Sequence, residues 1–126
     1  MSRYENTVAL VTGAGHGIGC AIAQKLAKDG AVVTVLEIDE EMGRQTVELL
    51  RQDGHQAHFV KADITNFGEI EEAFVRTSEK LGPIKLLINN AAFSIAGKLE
   101  NISLDAWHQE LDVNVNGTYL CIRAMV

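Results

Sequence analysis

Residues 7–19 of this 126-residue chain read Thr-Val-Ala-Leu-Val-Thr-Gly-Ala-Gly-His-Gly-Ile-Gly, and this stretch decides the fold. The unbroken apolar run Val8–Val11 predicts a strand that is buried on both faces, as in a parallel sheet. Four glycines come after it, and Ile18, Ile22 and Leu26 then repeat at the spacing of an amphipathic helix. The sequence therefore predicts a strand that passes through a glycine-rich turn into a helix.

The glycine-rich turn also indicates the chemistry of a ligand. Glycines let backbone N–H groups approach a diphosphate closely, and the N-terminus of the following helix carries a partial positive charge. The spacing is Thr12-Gly13-x-x-x-Gly17-x-Gly19, with Gly15 additional, and it differs from the common pattern with glycines at the first, third and sixth places. A tight turn without a ligand would use glycine as well, so the nucleotide interpretation depends on residues farther along the chain.

Composition and charge narrow the class of protein. With 47% hydrophobic and 22% charged residues, residues 1–126 are expected to form a single globular domain. A net charge of −6 argues against nucleic-acid and anionic-membrane partners, because both favour clustered Lys and Arg. No apolar run has the length of a membrane span, and no signal peptide is recognisable, so a cytoplasmic protein is expected. Cys20 and Cys121 lie far apart without His at ligand spacing, which predicts reduced thiols and no metal site.

A second strand is predicted at Ala31–Leu36, and Glu37 follows it directly. Glu37 lies 18 residues beyond Gly19, close to the place where a nucleotide-binding βαβ unit has the carboxylate that hydrogen-bonds the adenosine ribose. A carboxylate there repels a 2′-phosphate, which favours NAD over NADP. Asp39 would take this role if the strand ended later, and either acid could instead cap the second helix.

The middle of the chain continues the alternation of helices and strands. A second helix at Glu40–Gln52 and a strand at Ala57–Lys61 lead to Asp63, which is placed either to accept from an adenine amine or to cap the next helix. A third helix follows over residues 67–81, and a fourth strand at Ile84–Ile88 leads directly into Asn89-Asn90. One of these two amides is expected to tie neighbouring strands together, and the other to face the ligand.

A fourth helix is predicted after Ser103, which is a plausible N-cap. Asn114, Asn116 and Gly117 interrupt it, and an amide at such a position is expected to have a specific task. The apolar face predicted for this helix consists of Leu104, Trp107, Leu111, Val115, Ile122 and Met125.

Four sequence features follow one another along the chain: the Thr12–Gly19 motif, Asp63, Asn89-Asn90-Ala91, and Asn114. Together they resemble the motifs of the short-chain dehydrogenase/reductase family. Members of this family are NAD(P)-dependent α/β oxidoreductases with a Rossmann-type doubly wound parallel sheet. The resemblance covers essentially the whole chain. It implies a βαβαβαβα unit with strand order 3-2-1-4 and a reaction between the nicotinamide and a small-molecule carbonyl or secondary alcohol.

The resemblance also implies roles for particular residues. The pyrophosphate would be surrounded by Gly13, Gly15, His16, Gly17, Ile18 and Gly19. Glu37 would select NAD, Asp63 and Ile64 would meet the adenine, and Asn90 with Ala91 would line the path of the ribose and nicotinamide. Asn114 would be the Asn of the family's catalytic tetrad, which holds a water through its main chain.

The sequence departs from the family pattern in two places. Ala92 stands where the family motif Asn-Asn-Ala-Gly has glycine, and a methyl group is tolerable there if the residue needs no positive φ. The family's Ser and Tyr-x-x-x-Lys have no counterpart here, because Tyr119 and Arg123 follow Asn114 too closely, and Tyr119 is expected to be a packing residue. The chain is therefore expected to be a truncated, cofactor-binding half that is inactive alone, or else a non-catalytic nucleotide-binding or dimerisation module.

Strand order 3-2-1-4 would leave the fourth strand, Ile84–Ile88, as an apolar edge. An uncovered edge of this kind recruits another chain. The sequence therefore predicts a homo-oligomer that buries the fourth strand and the fourth helix.

Overall fold

The computed structural model describes residues 3–126, in which strands alternate with helices as the hydrophobic patterns predict. The strands are Val8–Thr12 (β1), Val32–Glu37 (β2), Ala57–Lys61 (β3) and Ile84–Ile88 (β4). The helices are Gly17–Lys28 (α1), Glu40–Gln52 (α2), Phe67–Leu81 (α3), Leu104–Leu111 (α4) and Thr118–Met125 (α5). A 3-10 turn at Leu99–Asn101 precedes α4, and the π-helical segment Asp112–Gly117 joins α4 to α5. Across these described residues, no helix combines the length and the apolar content that crossing a membrane requires.

The four strands form one parallel sheet in the order β3-β2-β1-β4, which confirms the predicted order. β1 lies between its two neighbours, with Val11 opposite Val35 of β2 and Ile88 of β4. All carboxyl ends therefore meet at the same edge of the sheet. Since the chain leaves β1 toward β2 on one side and reaches β4 on the other, a crevice opens beyond the end of β1, where α/β sheets bind ligands.

Helices cover both faces of the sheet. Ala9 and Val11 of β1 pack on the side of α1 and α2, while Leu10 packs on the side of α3 and α5. All of β1 is buried for this reason, which explains its unbroken apolar sequence. Complete burial of a single side chain such as Leu10 contributes about 2 kcal/mol, so the central strand is a large part of the core energy.

Three of the helices begin at a side-chain cap. Asp39 accepts from the Met42 N–H at the start of α2, Asn66 from Glu69 at the start of α3, and Ser103 from Ala106 at the start of α4. The cap at Ser103 confirms its prediction. β2 ends at Glu37 and Asp39 caps α2, so the two acids have separate places in the structure.

The predicted interruption of the fourth helix is a π-helical segment. It contains Asn114, Asn116 and Gly117, the three residues that the sequence singled out as poor helix formers. Gly117 is buried there, and a Cβ at this position would collide with the side chain of Ile64. Glycine thus lets the helix lie directly against the segment that follows β3.

Of the apolar face predicted for this helix, Met125 packs against the sheet. Between 40% and 75% of each of the other five is exposed, and with Tyr119 they form what we call the outer face: Leu104, Trp107, Leu111, Val115, Tyr119 and Ile122. The helix packs on the sheet through a second apolar set: Val113, Leu120, Cys121, Ala124 and Met125. The sequence supplies two apolar sides, and helical periodicity alone does not say which of them meets the sheet.

β4 forms the predicted edge of the sheet. Within the part of the chain that is described, β1 is its one strand partner, and Leu86, Leu87 and Ile88 are half-buried. A row of backbone groups on its far side is therefore available to another segment of polypeptide.

Candidate functional site

A crevice of about 540 Å³ lies at the carboxyl edge of the sheet. Its walls come from the glycine turn, the end of β2, the segments after β3 and β4, and the helix formed by α4 and the π segment. Nine of the predicted site residues line it: Gly13, His16, Gly17, Ile18, Glu37, Asp63, Ile64, Asn90 and Ala91. The other three predicted site residues contact residues that line the crevice: Gly15 contacts Glu37, Gly19 contacts Gly13, and Asn114 contacts Phe93.

The glycine turn is shaped by positive φ angles and by close packing. Gly13 has φ 65° and Gly17 has φ 56°, in the left-handed region that favours glycine. A Cβ on Gly13 would come within 2.8 Å of the Ala91 Cα, and a Cβ on Gly19 would collide with the Gly13 carbonyl. The turn is thus held close to both β4 and its own helix, which leaves the backbone exposed toward the crevice.

The N-terminus of α1 differs from those of α2, α3 and α4. Its N-cap residue is His16, whose side chain accepts no hydrogen bond from the first turn within residues 3–126, and the first turn holds no acid. The amides at the start of this uncapped helix belong to Gly17 and Ile18, which both line the crevice. Such amides, together with the helix dipole, attract an anion, and a dinucleotide pyrophosphate fits this position.

Glu37 lies at the rim of the crevice with only 5% of its surface exposed. Its Oε1 accepts from the Gly15 N–H at 3.0 Å, and its Oε2 accepts from the Asp39 N–H at 3.1 Å. These two bonds fix the orientation of the carboxylate and offset the cost of burying it. A Cβ on Gly15 would lie 2.7 Å from Glu37 Oε1, so glycine is needed at position 15 for this contact.

Gly15 therefore differs from the other glycines of the turn. The sequence predicted that it surrounds a pyrophosphate, yet its N–H is donated to Glu37. Its place in the structure joins the glycine turn to the end of β2, and so joins the two parts of the site that the sequence predicted separately.

Asp63 and Ile64 form the wall that follows β3. Asp63 Oδ1 accepts from the backbone N–H of Thr65 at 2.9 Å and from its hydroxyl at 2.7 Å. The capping alternative for Asp63 was wrong, because Asn66 caps α3. Ile64 is buried against Gly117, so this apolar wall is continuous with the helix beyond it.

Thr12 and Asn90 tie β1 to the segment after β4. Thr12 Oγ1 accepts from the backbone N–H groups of Asn90 and Ala91, each at 3.0 Å, and the Asn90 side chain donates to the Gly13 carbonyl at 3.1 Å. Asn90 is thus the amide that joins neighbouring strands, and it also lines the crevice. This role of Thr12 was not predicted from the sequence, although a polar residue at the end of an apolar strand was a usable signal.

Asn114 hydrogen-bonds the backbone of Phe93 in both directions. Its Oδ1 accepts from the Phe93 N–H and its Nδ2 donates to the Phe93 carbonyl, both at 2.8 Å. One helical turn earlier, Glu110 accepts from the Ile95 N–H. The two side chains fix the extended segment after β4 against the helix, and the sequence analysis did not identify Glu110.

The comparisons with known proteins agree with this geometry. A sequence model of the family described as short chain dehydrogenase matches residues 7–126. The chain belongs to this family.

Two relatives illustrate the range of sequence similarity. The chain is 40% identical over 119 residues to an uncharacterized oxidoreductase of Thermotoga maritima, covering 94% of this chain and 46% of that protein. It is 35% identical over 127 residues to a 3beta-hydroxysteroid dehydrogenase of Mediterraneibacter gnavus, covering 100% of this chain and 46% of that protein. The chain thus spans about half the length of the curated relatives it matches.

The fold of this chain is shared with solved structures. The F189W variant of actinorhodin polyketide ketoreductase, crystallised with NADPH, superposes with a TM-score of 0.93 at 33% identity. The match covers 99% of this chain and 48% of that one. A parallel sheet in the order 3-2-1-4, with helices on both sides, is therefore the Rossmann-type arrangement of this family.

Two departures from the family pattern have structural explanations. Asn6 is the single non-glycine residue with positive φ among residues 3–126, so Ala92 occupies its position without that strain. Tyr119 lies on the outer face with 56% of its surface exposed and accepts a hydrogen bond from Arg123. Tyr119 does not pack against the sheet, because the helix turns its other side to it.

Proposed function

We propose that this chain is the dinucleotide-binding half of an NAD-dependent oxidoreductase that acts on a small-molecule carbonyl or secondary alcohol. The observation that carries the proposal is the N-terminus of α1, which lacks a side-chain cap and meets the crevice beside the fixed carboxylate of Glu37. Membership of the short-chain dehydrogenase family supports the reaction class.

In this proposal the pyrophosphate lies on the glycine turn. The amides of Gly17 and Ile18 bind it, and the close packing of Gly13 and Gly19 keeps the backbone accessible. His16 stands next to these groups on the crevice wall. Gly15 acts through Glu37, to which it donates its N–H.

The adenosine lies between β2 and β3. Glu37 accepts from the hydroxyls of its ribose, Asp63 accepts from the adenine amine, and Ile64 offers an apolar surface to the ring. A 2′-phosphate about 5 Å from the Glu37 carboxylate would be repelled by about 3 kcal/mol per charge pair at an effective dielectric constant of ~20. This repulsion supports NAD over NADP.

The nicotinamide half lies along Asn90 and Ala91, toward the segment that Asn114 fixes. When bound, the cofactor supplies hydride transfer to or from the substrate carbon. Asn114 positions the Phe93 backbone on this side of the crevice, and its main-chain carbonyl accepts from the Thr118 hydroxyl at 3.4 Å. Since the family's Ser and Tyr-x-x-x-Lys have no counterpart among these residues, we expect weak cofactor binding and no turnover from the 126-residue chain.

A titration of the nitrogen-15-labelled chain with NAD tests the proposal, because amide resonances report binding even in the millimolar range. We expect shifts concentrated at Gly13, Gly17, Ile18 and Asp63, and weaker binding of NADP. Glu37→Ala is expected to reduce the preference for NAD. Shifts at the opposite edge of the sheet alone, or a preference unchanged in Glu37→Ala, would contradict the proposal.

We also infer that the chain forms a homo-oligomer through β4 and the outer face, which is the second candidate function, a dimerisation module. Soluble monomers rarely expose an apolar strip of this length, and α5, which carries Tyr119 and Ile122 of the outer face, packs against β4. A second copy of the chain offers the same apolar surface and the same edge, and so can cover both.

A further inference from the structure

Three polar side-chain atoms lie buried on the α3 side of the sheet. Thr34 Oγ1, His58 Nε2 and Thr77 Oγ1 are shielded from solvent, and none of them forms a hydrogen bond within residues 3–126. The two threonines are completely buried. Because such an atom gives up its hydrogen bonds to solvent on folding, native proteins almost always provide it with a new partner. These three atoms therefore need a partner that the neighbouring side chains do not supply.

The two strand residues lie next to each other. Thr34 of β2 and His58 of β3 are Cα partners in the parallel register, so their side chains share one face of the sheet. Leu36 and Val60, two residues farther along the same strands, pack in the core cluster that includes residues of α3. Thr34 and His58 therefore point toward α3 as well.

Thr77 lies on the buried face of α3, as Ala73 does. The helix begins beyond the carboxyl end of β3 and ends before β4, so it runs back along the strands. Ala73 and Val60 line one small groove and thus mark the same level of helix and strand. The four residues from Ala73 to Thr77 advance about 6 Å along the helix, and the two from Val60 back to His58 advance about 7 Å along the strand. Thr77 is thus at the level of Thr34 and His58.

We infer that a buried water molecule is bound between β2, β3 and α3, where it hydrogen-bonds Thr34 Oγ1, His58 Nε2 and Thr77 Oγ1. Buried waters typically make about three hydrogen bonds to polar groups that have no other partner, and this place offers three such groups. A hydroxyl donates and accepts, and Nε2 of a neutral imidazole does one or the other, so a water molecule complements all three. The water joins the strand that ends at Glu37 and the strand that leads to Asp63 to the same helix.

The charge state of the ring agrees with a neutral ligand. Burial lowers the pKa of His58, and the positive charges of Lys80, Arg51 and Arg76 lower it further. The ring is therefore neutral near pH 7, and an uncharged ligand leaves no unpaired charge in the core. Arg76 and Lys80 are neighbours of Thr77 on α3, which supports its position close to His58.

Replacing each threonine with valine, which has nearly the same shape, tests the site through stability. If the hydroxyls had no partner, valine would remove a buried polar group without cost and the variants would be more stable. With the water bound, Thr34→Val and Thr77→Val should each lower the equilibrium constant for folding about fivefold, as expected for one net hydrogen bond. The double variant should lose less than the product of the two factors, because both hydroxyls hold the same water.

These constants are measured by denaturant unfolding at about pH 8, where the imidazole is neutral. Neither threonine lines the crevice, so the result does not depend on nucleotide binding. Greater stability of either single variant than of the unmodified chain would overturn the inference.

Nuclear Overhauser effects from water to threonine methyl groups distinguish a bound water from direct hydrogen bonds. In the carbon-13-labelled chain we expect cross-peaks at the water frequency for the methyl groups of Thr34 and Thr77. Thr46 is the matched control, because it is also buried but lies on α2, where its hydroxyl donates to Cys20 Sγ at 3.5 Å. Its methyl group should show no such cross-peak.

Thr77→Val separates the bound water from hydrogen exchange of the Thr34 hydroxyl itself. The cross-peak at the Thr34 methyl group should weaken in this variant, whereas a relay through its own hydroxyl would leave the cross-peak unchanged. An unchanged cross-peak at Thr34, or one of equal intensity at Thr46, would overturn the inference. Reduced stability of the valine variants without any cross-peak in the unmodified chain would also overturn it, since the hydroxyls would then bond other groups directly.

Discussion

Gly15 and Glu37 are in contact where the end of β2 passes the glycine turn. This contact predicts the effect of replacing Gly15 with alanine, which adds one methyl group. Gly15→Ala should displace the Glu37 carboxylate, because the new Cβ would lie 2.7 Å from its Oε1. The φ of Gly15 is not in the left-handed region, so the effect comes from the collision and not from backbone strain. We expect the preference for NAD over NADP to fall about tenfold, measured as a ratio of dissociation constants.

Gly68→Ala is the control for this substitution. Gly68 lies in the first turn of α3, is exposed, and a Cβ there would come no closer than 3.4 Å to the Asn66 Oδ1. It should leave the nucleotide preference unchanged. If Gly15→Ala also leaves it unchanged, the assignment of Glu37 as the selecting carboxylate is wrong.

His58 gives a second prediction at the residue scale. Burial, with smaller contributions from Lys80, Arg51 and Arg76, lowers the pKa of His58 below its usual 6.5. The folded state thus favours the neutral ring, while the unfolded chain binds a proton near pH 6.5. The free energy of unfolding should therefore be fully retained above pH 6.5 and should decrease as the pH falls below it toward the folded pKa.

Denaturant unfolding at a series of pH values, followed by circular dichroism, measures this loss. His58→Gln should flatten part of the decrease, since it removes the titrating group. His108→Gln, at an exposed position of α4, should retain all of it. An equal loss of stability in acid for the His58 and His108 variants would show that other groups are responsible.

At the scale of elements, Asn114 ties the π segment to the extended segment that follows β4. Asn114→Ala removes both hydrogen bonds to the Phe93 backbone. We expect a loss of about 1 kcal/mol in the free energy of unfolding, because the bonds lie near the surface. The Phe93 amide should exchange with solvent faster, as measured by hydrogen exchange.

Asn116→Ala is a matched control from the same segment. Its side chain donates only to Asp112, one turn earlier on the same helix. It should have little effect on stability and none on exchange at Phe93. Equal effects of the two substitutions would mean that the π segment is stabilised as a whole and not by the Asn114 contact.

At the scale of the whole molecule, the outer face and β4 predict association. Sedimentation velocity at micromolar concentration should show a dimer or a larger assembly. Leu111→Arg combined with Val115→Arg should shift it to monomers, because two charges would be buried in the apolar contact. Leu49→Arg, on α2 across the sheet, should leave the assembly intact. A stable, well-folded monomer of the unmodified chain would contradict this prediction.

The agreement between sequence and structure was best where information is local. The strands and the helices before residue 82 end within one residue of where their caps, glycines and apolar runs predicted, since these signals act over a few residues. The agreement was poorest for the last helix, whose two apolar sides both have helical spacing. Its packing was decided by Gly117 and Ile64, which lie far apart in the sequence.

The sequence by itself determined the order of elements along the chain, the burial of β1 on both faces and the position of a carboxylate after β2, because each follows from residue pattern and spacing along the chain. Tertiary structure alone decided that Gly15 donates to Glu37, 22 residues away, that Asn114 holds Phe93, 21 residues away, and that Thr12 binds the backbone of Asn90. Such bonds form only when the sheet brings separate turns to one edge. The local periodicity of the sequence does not determine which turns meet at that edge.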